Sequence, residues 1–287
     1  MPKNRVAVIT DSIACIPRDL REQYHIGIIP LNFYVNGNVY RDGIDVTPSE
    51  AYELFLKDPE TFKTSGPSPG ACLDAYRQAA LTGKDIFSVI LSSKLSAIYD
   101  TAVSASQQVQ TEFPESSVVV LDSTTAAAAE GLIALAVARA AETGKSLAEV
   151  TAVADKVRNT VNIIAYMDTV RYIYRSGRIP KIASVAGSML KIRPIFTFSN
   201  GAPHFLGAVR SKNIGIERLF EEMREKVGNK PAHVAVMHVY AEDDALQLKK
   251  RVANEFDCAE LWLTEFSPLM GYACGTGTLG LAFYPEE

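Results

Sequence analysis

The chain has 287 residues and a mass of 31.3 kDa, with 47% hydrophobic, 22% charged and 9% aromatic side chains. That balance excludes a disordered, collagenous or coiled-coil chain, and the length suits two domains of ordinary size. With 29 Lys and Arg against 33 Asp and Glu the formal charge is −4 and the pI near 5.7, and no basic run offers a nucleic-acid face or a polybasic membrane anchor.

The start, MPKNRVAVITDS, holds too few apolar residues for the roughly 7–15-residue core of a secretory signal. No window reaches the ~18 uninterrupted apolar residues of a membrane span; the most apolar, 126–141, contains Glu130 and Arg139. A cytoplasmic protein without stable membrane insertion is expected. Cys15, Cys72, Cys258 and Cys274 form no CxxC pair and no zinc spacing, so they read as reduced, structural thiols.

In chain order, β-branched runs predict strands over 6–10, 28–35, 86–91, 118–121, 163–167, 195–198, 205–209, 234–239, 261–264 and 278–283. Amphipathic stretches of helical period predict helices over 48–57, 69–81, 96–111, 124–142, 147–159, 182–191, 214–227 and 242–255. Thr47-Pro48-Ser49-Glu50 and Ser146-Leu147-Ala148-Glu149 are capping-box starts, and Ser68-Pro69 is a third cap with Pro behind it. Asn36-Gly37 and Asn200-Gly201 are two-residue hairpin turns. Strand–helix alternation over residues 1–160 demands a parallel sheet with helices on both faces. Beyond it the pattern loosens, and the Asn200-Gly201 hairpin implies antiparallel pairing. Two α/β domains, 1–160 and 161–287, are expected to meet without a linker.

In open parallel sheets, ligands bind beyond the carboxyl ends of the strands. There the sequence repeats a hydroxyl-rich signature: Thr10-Asp11-Ser12, Ser92-Ser93-Lys94-Leu95-Ser96 and Asp122-Ser123-Thr124-Thr125, with Thr64-Ser65-Gly66-Pro67-Ser68 in a loop between helices. Hydroxyls without a nearby His suit hydrogen bonding to an anion's oxygens better than proton abstraction, although such residues are also common helix caps. Gly275-Thr276-Gly277-Thr278-Leu279-Gly280 spells GxGxxG but has no following helix to take a pyrophosphate. None of His25, His204, His233 and His238 lies in a hydrolase context, and His233 and His238, five apart on one strand, face opposite sides and make no metal site.

Taken together, these loops resemble the DegV family. Thr64-Ser65-Gly66-Pro67-Ser68-Pro69-Gly70 resembles its TSQPSPG segment, and Leu91 through Tyr99 its SSxLSGTY strand-end motif. Asp11-Ser12 resembles its amino-terminal DS, and Tyr174-Arg175-Ser176-Gly177-Arg178-Ile179 its LxxGGRI segment. Leu190-Lys191-Ile192-Arg193-Pro194-Ile195 is similar to its LKIxPI, and 275–280 to its closing HxGPGxLG element. The match departs at Gly66 for Gln, at Ala97-Ile98 for Gly-Thr, and at Ala273 and Thr276 for the usual His and Pro.

The resemblance implies a two-domain DegV-like α/β fold. Its N-terminal sheet would be parallel and Rossmann-like with helices on both faces, and its C-terminal domain would carry a mixed or antiparallel sheet. It further implies a lipid-binding protein, not an enzyme, holding a long-chain fatty acid in a tunnel between the domains. FakB-type members present that acid to a separate fatty acid kinase. By the same resemblance the carboxylate would be held by the hydroxyls of Thr64, Ser65, Ser93 and Ser96, with Ser92, Arg178, Ala273 and Cys274 also among the ligand-binding residues and Arg210 facing the kinase. No cofactor, metal or catalytic residue is implied. Lys94 reads as a solvent-reaching side chain, and 182–191 as a packing helix or lid. The alternatives are a phosphoryl- or acyl-transfer enzyme on the same loops and a binder of another small amphipathic carboxylate or phosphate. The DegV fold is similar to that of dihydroxyacetone kinase subunits, which hold substrate through a histidine, and none lies near these loops.

Overall fold

A computed structural model describes residues 6–173, 176–178 and 192–286. The helix expected at 182–191 lies outside these, as do Tyr174, Arg175, Ile179, Leu190 and Lys191 of the motifs.

The chain opens with β1 (Val6–Asp11), α1 (Arg18–Gln23), β2 (Gly27–Ile29) and the hairpin β3 (Asn32–Val35) and β4 (Asn38–Arg41). It continues through α2 (Pro48–Lys57), β5 (Lys63–Ser65), α3 (Pro69–Ala80), β6 (Asp85–Ile90), α4 (Ile98–Glu112), β7 (Val118–Asp122), α5 (Ala128–Glu142) and α6 (Leu147–Thr160). The second half holds β8 (Asn162–Tyr166), β9 (Arg193–Ser199), β10 (Ala202–Val209) and α7 (Lys212–Val227). After these come β11 (Ala232–His238), α8 (Glu242–Glu255), β12 (Cys258–Glu265), α9 (Pro268–Cys274) and β13 (Leu279–Pro285).

The first sheet is fully parallel, in the order β2-β1-β6-β7. β1 and β6 are buried along nearly their whole length, as strands covered on both faces must be. Helices α3 and α4 pack as one pair against it, and α5 and α6 as another. The second sheet runs β10-β9-β8-β13-β11-β12, antiparallel at every step except β11–β12. This is the expected parallel-plus-mixed α/β fold, with both Asn-Gly hairpins in place. Both capping boxes form as well, at Thr47–Glu50 and Ser146–Glu149.

Three expectations fail locally. The strand expected over 28–35 is two strands in different sheets, because Pro30 has no N–H for a ladder and Leu31 donates its own to the Ser12 hydroxyl at 3.2 Å. The segment 63–65, expected in a loop, is β5, which joins β3 and β4 in a small antiparallel sheet. Helix α5 also begins later than 124, since Thr124 and Ala127 take left-handed φ values of 52° and 53°. Once begun, it is buried on twelve of its fifteen residues, because it lies between the sheets and touches β1, β6, β8, β11 and β13.

Long-range polar contacts join the two halves. Tyr52 of α2 donates its hydroxyl to the carbonyl of Phe266 at 2.7 Å, and Thr264 donates to that of Cys15 at 2.6 Å. Ser267, which caps α9, donates its hydroxyl to Asp42 at 2.6 Å and its N–H to the Cys15 sulfur at 3.2 Å. On another side Arg139 of α5 pairs through both nitrogens with Glu260 of β12.

A buried carboxyl cluster sits at the end of β1. Asp11 accepts the N–H of Ile13 at 2.9 Å and of Leu91 at 3.0 Å. Burial still pushes it up to about 7. Glu130 of α5 is fully buried beside it and accepts from the Thr10 hydroxyl at 3.0 Å. Burial, then the neighbouring Asp11 charge, raise Glu130 well above the carboxyl range. Its second oxygen meets no donor among the described residues, which suits a protonated carboxyl that is itself the donor, to Asp11.

Replacing Tyr52 by Phe strands the buried carbonyl of Phe266 and is expected to lower stability by about 1–3 kcal/mol, read as a lower urea midpoint at unchanged m-value. Glu130→Gln tests the protonated carboxyl. Wild-type Glu130 takes up a proton on folding, so its stability falls as pH rises above about 4.5, the ordinary carboxyl value. Gln carries no such dependence. The variant should melt like wild type near pH 4 and above it at pH 8; a constant offset at all pH values would refute a neutral Glu130.

Candidate functional site

A single continuous cavity reaches across the junction of the two halves. It encloses about 940 Å³, counting space open to solvent. The parallel sheet contributes its carboxyl ends: Ile13 follows β1, and Leu91, Leu95 and Ser96 follow β6. Asp11 fixes two of these walls, because the N–H groups it accepts belong to Ile13 and Leu91. The small antiparallel sheet adds Thr64, Ser65 and Gly66, and Leu31 comes from the β2–β3 connection.

The opposite wall is mostly apolar. Ile163 and Ala165 come from β8, Met167 follows it, and Phe196, Phe198 and Pro203 come from the β9–β10 hairpin. Phe266 and the residues Leu269, Met270, Ala273 and Cys274 of α9 complete it. The Tyr52 and Ser267 hydrogen bonds seat this short helix against the first half. Gly271 also faces the Tyr52 ring, where a Cβ would overlap the phenol. The wall therefore stands where both halves specify it.

Among the described residues, polar lining is confined to Thr64, Ser65, Ser96, Ser176 and Arg178. The Thr64 hydroxyl makes no hydrogen bond among the described residues. Ser65 donates to the carbonyl of Gly66 at 3.0 Å. Ser96 accepts the N–H of Ile98 at 3.3 Å, which leaves its own proton to donate into the cavity. Arg178 donates from Nε to the carbonyl of Leu95 at 3.2 Å and from Nη1 to that of Ser176 at 2.8 Å. Its fixed fork retains further N–H groups for an anion. Cys274 is buried and its thiol is pushed up to about 12, so it stays a neutral wall residue.

Of the residues expected to bind the ligand, Thr64, Ser65, Ser96, Arg178, Ala273 and Cys274 line this cavity. Ser92 and Ser93 do not. Ser92 is buried and its hydroxyl donates to the carbonyl of Gly201 at 2.6 Å. Ser93 is exposed and its N–H is bonded to Asp122 at 3.3 Å. Lys94 is exposed, with its stem near Gly201. Arg210 is exposed just past β10, its carbonyl accepting from Arg193 Nη1 at 3.1 Å. None of the four histidines lines the cavity, and Gly277 donates its N–H to Val239 within the fold.

Sequence reasoning missed the apolar lining from α9 and the hairpin. Ser267-Pro268 repeats the cap-plus-Pro signal of Thr47-Pro48 and Ser68-Pro69, so α9 was findable. That Phe198 and Pro203 flank the Asn200-Gly201 turn was visible, but not which side they face.

Residues 5–286 match the sequence profile of the DegV family, described as "Uncharacterised protein, DegV family". A DegV domain-containing protein of Clostridium perfringens is 33% identical over 98% of this chain and 99% of its own length. The structure of a DegV family protein from Thermus thermophilus, described by its fatty acid binding, superposes with a TM-score of 0.89 at 27% identity, covering 98% of this chain and all of the other. DegV from Bacillus subtilis, described as a fatty acid binding protein, gives 0.88 at 27% identity over 98% of this chain and 99% of its own. Sequence, fold and strand-end motifs agree over nearly the whole length: the chain belongs to the DegV family.

Proposed function

We propose that this chain binds a long-chain fatty acid in the cavity between its two units, 1–160 and 161–287, and presents the carboxylate to a partner fatty acid kinase. One observation carries this reading: an apolar cavity whose polar lining, among the described residues, is limited to four hydroxyls and one guanidinium. Such a lining matches a molecule that is almost all hydrocarbon with one anionic end. Burying a sixteen-carbon tail at ~0.8 kcal/mol per methylene sets an upper bound of about 12 kcal/mol, from which association and ordering remove several. The tail then supplies affinity and the head group supplies orientation.

Thr64, Ser65, Ser96 and Arg178 would hold the carboxylate. Arg178 is the charged member, and its backbone anchors aim it at the loop that carries Ser96. The fatty acid binding described for the Thermus thermophilus and Bacillus subtilis relatives supports the ligand class. A kinase partner rests on the family resemblance, together with the exposed position of Arg210 on a backbone tied down by Arg193.

Solvent extraction of purified protein, followed by mass spectrometry, is expected to return close to one acyl chain per folded molecule; folded protein free of acyl chains that also ignores added palmitate would defeat the reading. Arg178→Ala should weaken palmitate binding by about ten- to a hundredfold, the range of one lost charge-assisted bond, while affinity for palmityl alcohol changes little. Equal losses for acid and alcohol would remove the guanidinium from the head-group site. For the partner, palmitate-loaded Arg210→Ala should be a poorer substrate than loaded wild type for a fatty acid kinase with ATP.

A further inference from the structure

The β9–β10 hairpin overhangs the sheet it belongs to. β8 pairs with β9 only from Tyr166↔Ile195 to Ile164↔Thr197, whereas the hairpin continues through Phe198↔Pro203 and Ser199↔Ala202 to the Asn200-Gly201 turn. Pro203 has no N–H to give this outer ladder. A register shift between Phe205 and Gly207 bends the strand behind it. The overhanging end carries Phe198 and Pro203, two walls of the cavity. Its own ladder therefore holds it weakly, and it needs an anchor elsewhere.

That anchor is Ser92. Its hydroxyl donates to the carbonyl of Gly201 at 2.6 Å, across 109 residues of sequence. Every other polar group of Ser92 is also engaged: its N–H donates to Thr125, its carbonyl accepts from Leu95, and its hydroxyl accepts from the N–H of Lys94. Gly201 is buried at φ +79°, and a Cβ there would lie 2.8 Å from the Ser92 oxygen. The turn and the serine are fitted to each other. Meanwhile Leu91 and Leu95, on either side of Ser92, face the cavity.

We propose that Ser92 is a positioning residue: it latches the hairpin end over the cavity, and release of the latch is the step by which a ligand is admitted or discharged. The latch itself stands on the geometry above; its role in fatty acid exchange rests on the proposed function. Breaking it frees Phe198 and Pro203 together, since they form one cross-strand pair. Ser92 therefore governs how fast the cavity opens, and the residues that line the cavity govern how tightly it binds.

Two measurements on the full chain test this, with Ser92→Ala and Gly201→Ala as variants. Hydrogen exchange of ligand-free protein should rise at least tenfold over residues 198–204 in both variants, with α5 and β6 unchanged. Stopped-flow release of cis-parinaric acid should accelerate at least fivefold, and association should accelerate with it, so that the equilibrium constant moves less than threefold. Unchanged exchange at the hairpin end in Ser92→Ala would overturn the latch. Raised exchange with unchanged release would overturn its role as a gate. Should Gly201→Ala fail to fold, Ser92→Ala, a deletion of one oxygen atom, decides alone. Wild-type protein that takes up no cis-parinaric acid, with exchange still raised in Ser92→Ala, would count against the fatty acid reading and the gate while leaving the latch standing.

Discussion

The architecture turns on one buried carboxyl group. Asp11 ends β1 and accepts the N–H of Leu91, which follows the neighbouring strand β6, while also accepting that of Ile13 in its own turn. Two adjacent parallel strands thus stop at a shared hydrogen-bonded group, and their continuations are held apart to form one side of a cavity. A backbone N–H left unpaired there would cost about 1–3 kcal/mol, so the carboxyl serves two donors that no ladder can reach. The burial that makes this possible also raises Asp11, Glu130 and Asp42 out of the ordinary carboxyl range. Neutral or proton-sharing carboxyls tolerate such burial far better than isolated charges do.

The second half is fastened to that end of the sheet through few but specific contacts. Ser267 reaches Asp42, Thr264 reaches the Cys15 carbonyl, and Tyr52 reaches the carbonyls that lead into α9. The aromatic rings of Phe55, Phe62, Tyr172 and Tyr272 interlock close by. Hydrophobic contact alone is non-directional; directional bonds to backbone carbonyls fix where α9 sits, and hence where Leu269, Met270 and Ala273 meet the cavity. An interior cavity forgoes packing contacts along its lining, so its walls have to be braced from behind. Here the bracing is polar and the lining is apolar.

Much of this was legible from sequence because it is local. Capping boxes at Thr47 and Ser146, hairpin dipeptides at Asn36 and Asn200, and β-branched runs state their own structure within a few residues. The cavity hydroxyls Thr64, Ser65 and Ser96 were also legible, as strand-end or family motifs. What sequence did not convey was decided at long range. Pro30 split one expected strand between two sheets, and Lys63–Ser65 became a strand only because β3 offered it an edge. The carboxyl cluster was invisible for the same reason, since Glu130 reads as one polar position in an alanine-rich helix until that helix is placed between two sheets.

The loop 92–96 shows how nearly identical side chains part company. Ser92, Ser93 and Ser96 carry the same hydroxyl, and in the sequence they form one cluster. Ser92 is turned inward and spends its proton on Gly201; Ser93 is fixed by its backbone to Asp122 and leaves its side chain outside; Ser96 accepts from Ile98 and keeps its proton for the cavity. A hydroxyl can donate only once. The partner that takes the proton therefore assigns the role, and that partner is set by the approach of a hairpin from the other half. The same constraint explains why a serine that never touches the cavity belongs to a loop that forms its wall: the loop has to hold both that wall and the hairpin that meets it.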